Sequence, residues 1–157
     1  MNRKGAVGAL LDIYEQAISD LVRVIEDIPD STLTIIIDAK SKDENCKSLQ
    51  AILSHVVHSG YGYATGIYNL NGNNIQRPDK TFRPAIKEYA EDLANVFDYT
   101  QNVFKEIKDA DLEQLDDSLK IQTGWGQCYD MEQMMEHAIV HILRHTRQIA
   151  KLKKQLH

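Results

Sequence analysis

The sequence predicts an all-α fold, a four-helix bundle, and three observations predict it. Four long stretches repeat apolar residues at three- and four-residue spacing. The breaks between them carry turn-forming residues. The one β-branched run, Leu33-Thr34-Ile35-Ile36-Ile37, has no obvious strand to pair with. Helices of this kind are stable once their apolar stripes are buried against each other, as a bundle does. The 157 residues suit one domain spanning 1–157. A chain of that length buries about two-thirds of its unfolded surface.

The first helix is predicted from about Ala6 to Ile28. Leu10, Ile13, Tyr14, Ala17, Ile18, Leu21, Val24, Ile25 and Ile28 form its stripe, and Pro29-Asp30-Ser31 stops it. The Leu33–Ile37 run reads as an extended segment or one irregular turn over the bundle, and residues 38–47 as a polar loop. Ser48 is the N-cap of a second helix reaching about Tyr68. Its stripe is Leu49, Ile52, Leu53, Val56 and Val57. Gly60, Gly62 and Gly66 lower helix propensity there and allow close approach by another helix or a dimer partner. Asn71-Gly72-Asn73-Asn74 is a turn.

Pro84 suits the first position of a third helix, which runs to about Lys108. A short extra helix is expected within 109–119. Thr123-Gly124-Trp125-Gly126 reads as a loop, its tryptophan an anchor packed on the bundle end. Asp130 with Gln133 three residues on gives a capping-box arrangement for the last helix, which extends to near Leu156.

The formal net charge of -5, from 23 acidic and 18 basic residues, argues against nucleic acid as the main partner, because phosphate binding needs a basic surface. Arg144, Arg147, Lys151, Lys153 and Lys154 instead complement the dipole of the last helix. Two cysteines, Cys46 and Cys128, form no disulfide framework, which fits a reducing cytoplasm. Asp12 and Glu15 interrupt what would otherwise be an apolar leader. No stretch is apolar enough to span a membrane.

The chemistry sits in the histidines. His55 and His58 fall on the second predicted helix; His137, His141 and His145 fall on the last as His-x-x-x-His-x-x-x-His. Residues four apart share a helix face, so two imidazoles can converge on one ion. Three on one helix cannot readily do so, because eight residues rise about 12 Å. The choice is between His137 with His141 and His141 with His145, with His55 or His58 completing the set from a facing helix. A His-x-x-x-His pair alone is weak evidence.

The stretch from Glu136 to Ile149, with His141, His145 and Gln148-Ile149, resembles the last-helix signature of the DinB/YfiT-like family. Ser48 to His55 resembles the start of that family's second helix. The resemblance implies a bundle in up-down-down-up order and metal ligands at His55, His141 and His145. It also implies a metal-dependent enzyme, hydrolase or thiol S-transferase, acting on a small-molecule substrate that includes low-molecular-weight thiols, and a homodimer. Thr146-Arg147 departs from the Arg-Gly usual there, which leaves any role of that arginine in doubt, and Asp130 stands where a hydroxyl residue is usual. Imidazole suits several divalent transition metals, zinc and nickel first among them here. A non-enzymatic bundle, one that binds the ion without turnover or serves as a dimerisation unit, is the rival reading.

Other residues carry less. His58 and His137 read as outer partners of the site, proton carriers or packing residues, with packing favoured; His58 is the nearest candidate for a general base. Tyr61 and Tyr63 line a pocket or pack. Cys128 lies beside a helix N-terminus that could activate it, though an inert thiol is commoner. Glu132 and Glu136 read as solvated.

Overall fold

The apolar stripes end up on four helices: α1 (Gly5–Ile25), α2 (Leu49–Asn69), α3 (Ile86–Val103) and α4 (Met131–Lys153). The structure is a computed structural model describing residues 3–156; Met1, Asn2 and His157 lie outside the described residues. Each of α1 and α2 packs against both α3 and α4, so α1 and α2 occupy opposite corners. Cross-helix contacts fix the directions. Ser54 meets Tyr89 and Thr65 meets Tyr99, so α2 and α3 run parallel. His55 meets His141 while Tyr63 meets His137, so α2 and α4 are antiparallel. Lys153 reaches the Val24 carbonyl and the Asp27 carboxylate, which puts α1 parallel to α4. The order is up-down-down-up, and the long segment 70–85 returns the chain between the parallel pair.

The core is built mostly from the stripe residues, though Ile13, read as part of the first stripe, is exposed at 54%. Leu21, Ile25, Leu49, Ile52, Leu53, Ile67, Tyr89, Leu93 and Ile149 are fully buried, each aliphatic one contributing roughly 1.5–3 kcal/mol. Gly60 permits a helix to approach: a Cβ there would stand 2.6 Å from Val96 Cγ1 on α3. The Tyr89 hydroxyl pairs with Ser54 Oγ at 2.7 Å and accepts from the Arg83 N–H at 3.0 Å. Arg83 grips Asp92 with two bonds of 2.8 and 3.0 Å. These contacts pin the end of the crossover onto α2 and α3.

Several boundaries differ from expectation. Ser48 caps α2 and the Asp130–Gln133 capping box forms on α4 as read. The third helix begins at Ile86, two residues past Pro84; its N-cap, Ala85, is extended and has no side-chain acceptor. Asp30, far back in the chain, accepts from the Ile86 N–H at 2.8 Å instead. The helix expected within 109–119 is replaced by two three-residue 3-10 turns, Asp109–Asp111 and Asp117–Leu119. Aspartates there bond to nearby backbone N–H groups, which competes with helix. Two short strands, Ile121–Gln122 and Cys128–Tyr129, pair antiparallel around the Thr123–Gly126 loop. Gly126 takes φ +87° there, open to glycine without strain. Among the described residues, no helix is long and apolar enough to cross a membrane.

Candidate metal centre

His55 lies in the second turn of α2, beside the fully buried Leu53 and the nearly buried Val56. His141 and His145 sit one turn apart on α4, flanked by buried Ile142 and Ile149. Because α2 and α4 are antiparallel neighbours, the three rings meet at the α2–α4 seam. His55 Nε2 is 3.0 Å from His141 Nε2, and His145 Nε2 is 3.2 Å from it. One donor nitrogen from each ring lies within 4.8 Å of the others, an arrangement that could hold a metal ion.

The donor chemistry favours a cation. His145 Nδ1 donates to the Gln148 side-chain oxygen at 2.8 Å, so its Nε2 is a bare lone pair aimed at the cluster. His141 is the ring that the polypeptide satisfies least. Among the described residues its Nδ1 is buried without a partner, and its Nε2 cannot serve two neighbouring ring nitrogens equally well. Leaving one buried polar atom unpaired costs about 1–3 kcal/mol. The two short separations are below twice the zinc–nitrogen distance of about 2.0–2.1 Å, and with all three nitrogens within 4.8 Å of one another the set could hold a divalent ion.

The rings are held neutral, as ligands must be. Burial, with the neighbouring His145 adding to it, lowers the His55 pKa to about 4. Burial and the other two rings lower that of His141 to about 3. His145 is also lowered, again mainly by burial, with Gln148 working the other way.

Two kinds of neighbour surround the cluster. On one side the 38–47 loop and the crossover meet: Lys80 donates to the Asn45 side-chain oxygen, and Asn45 Nδ2 donates to Asp43 at 3.0 Å. Asp43 raises and Lys80 lowers the proton affinity of His55. On the other side is an aromatic wall. The Tyr63 ring stands edge-on to His141 and His137 at 5.6 and 5.3 Å, and Trp125 stacks on His137 at 4.9 Å.

Of the two histidine pairs left open by spacing, the structure assembles His141 with His145. It places His55, not His58, beside them. His58 Nδ1 lies 3.1 Å from the Pro78 carbonyl, and burial and the charge of Arg77 lower its pKa. His137 belongs to the aromatic wall. Trp125 is half exposed and stacks on His137, near the start of α4. Tyr63 is buried near the cluster, whereas Tyr61 packs on Tyr99 at 5.4 Å. The Cys128 thiol donates to the Asp117 carbonyl at 3.4 Å, outside the cluster, and Glu136 is exposed.

Sequence reasoning did not single out Asp43, Lys80 or Arg77, since nothing local in the sequence marks their tertiary placement. Gln148, three residues beyond His145, did carry a signal, and its hydrogen bond gives that signal a physical meaning.

Fold and cluster together define a helical bundle with a three-histidine site fit for a metal ion. Residues 1–156 match the DinB family, and the chain belongs to that family. No curated protein matches the chain, and no solved structure does.

Proposed function

We propose that the chain is a metal-dependent enzyme that holds a divalent ion, zinc or nickel, on His55, His141 and His145. Its substrate would be a small molecule, with water or a low-molecular-weight thiol as the activated group, in hydrolase or thiol S-transferase chemistry. The observation that carries this is the convergence of three neutral imidazole nitrogens, at 3.0 and 3.2 Å, with no carboxylate in the set. Three protein ligands leave a position for an exogenous group, and an ion there supplies Lewis acidity that lowers the pKa of a bound water or thiol.

The chain's own residues do the rest. Gln148 keeps the His145 proton on Nδ1 and its Nε2 directed inward. Tyr63 stands edge-on to His141, and burial raises its phenol to about 12, so it stays a neutral hydroxyl at neutral pH. The charge of the Asp43 carboxylate acts on both His55 and His145 and favours their protonated forms.

Cobalt(II) substitution tests the reading. The loaded protein should show visible absorption, and adding a small thiol should perturb that spectrum. A cobalt spectrum unmoved by thiol and by rising pH would point to a closed site and to the rival bundle that binds without turnover.

A further inference from the structure

A cleft of about 420 Å³ runs alongside α2, between the crossover at Ile75–Arg77 and the tip of the hairpin. That volume lies within the roughly 300–1,000 Å³ of small-molecule sites. It shares a wall with the histidine cluster: Tyr63 and Trp125 line it, and the same two rings contact His141 and His137 from the other side. The cleft has an unusual charge. Four other clefts on this acidic protein each carry at least two carboxylates. This one carries none, and its single ionised side chain is Arg77.

Arg77 is placed there by α2. Its guanidinium lies over Gly62, where a Cβ would come within 2.5 Å of Nη1. One long bond of 3.3 Å to the His58 carbonyl holds it. Among the described residues Arg77 makes no ion pair, so most of its five donors remain for a ligand. Its charge reaches the Tyr63 phenol, which in turn abuts His141. A planar fork of donors in a cleft that two aromatic rings also line suits a carboxylate attached to a flat or apolar body.

We propose that this cleft binds a small organic carboxylate, with the anion on Arg77 and the apolar body against Trp125 and Tyr63. Calling that molecule the substrate rests on the proposed metal function; the binding itself does not.

Trp125 is the only tryptophan and is half exposed in the cleft, so its fluorescence reports occupancy. The experiment titrates benzoate, benzamide and benzylamine into the full chain, freed of metal by chelation and dialysis. Benzoate should give a saturable change, with benzamide roughly tenfold weaker, as loss of a charged hydrogen bond predicts, and benzylamine weaker still. Arg77→Gln should reduce benzoate to the level of benzamide. Gly62→Ala should displace the guanidinium and weaken benzoate, with the thermal midpoint unchanged or raised, since alanine favours helix. Equal binding of benzoate and benzamide, benzoate binding indifferent to Arg77→Gln, or no saturable change with any probe would each overturn the proposal. Metal uptake measured on the same preparations separates the two ideas. Benzoate selectivity without metal uptake defeats the metal reading alone, and metal uptake without benzoate selectivity defeats the cleft alone.

Discussion

The α1–α3 seam and the α2–α4 seam are built from similar helices and use their interiors differently. Between α1 and α3 the contacts are side-chain packing, with Tyr14 against Phe97 at 6.3 Å beside buried Ile18 and Leu93. Between α2 and α4 the interior holds three imidazoles instead, one of them with a nitrogen unpartnered among the described residues. Burying such groups costs free energy that aliphatic residues there would not. The bundle can absorb that cost because the other seam and the rest of the core supply the stability. The polar seam is therefore where function is expected, while folding energy comes from the one apolar core that all four helices share.

That contrast can be broken by mutation. His141→Ala should have the largest effect on the site, removing the ring that touches both others and abolishing stoichiometric metal binding. Its circular dichroism should remain helical; a collapsed fold would mean that the seam is structural. Leu21→Ala, in the fully buried stripe of α1, should do the reverse. Urea denaturation should show a loss of about 2–5 kcal/mol, while metal stoichiometry in the folded protein stays at the wild-type value.

Acid should act on the polar seam. In the metal-free protein, His55 and His141 protonate near 4 and 3 instead of the ordinary 6.5. Between those values the unfolded chain binds more protons than the native one, so stability rises with pH in that window. The contribution is complete above about 6.5 and is lost as pH falls toward 4. The urea midpoint should therefore drop between neutral pH and about pH 5, and by less in His141→Ala. An equal drop in both would place the acid sensitivity elsewhere.

Smaller effects sharpen the contrast further. Gln148→Ala removes the acceptor that orients His145 and should weaken metal affinity about 10–100-fold by calorimetry, with little change in melting of the metal-free protein. Asp130→Ala removes the cap of α4 and should cost about 0.5–2 kcal/mol in urea, leaving metal stoichiometry intact.

The stripes and caps were legible because they are local. Leu49 to Val57 has helical spacing wherever it sits, and Ser48 and Asp130 cap backbone within three residues. His141 and His145 were legible as a pair for the same reason. What periodicity alone leaves undecided is tertiary: that Asp30 caps α3, that His55 rather than His58 faces α4, and that Arg77 crosses Gly62. The Asp109–Leu119 segment misled because its aspartates satisfy backbone N–H groups outside a helix. The two-residue strands are too short to show alternation.

The most direct test of the three-histidine centre is elemental mass spectrometry of untagged protein, wild type beside His145→Ala, after equilibration with zinc and separately with nickel. The proposed site predicts about one equivalent of one of these metals in the wild type and a near-complete loss in the variant, with both proteins folded. No metal in either protein, or equal metal in both, would contradict it.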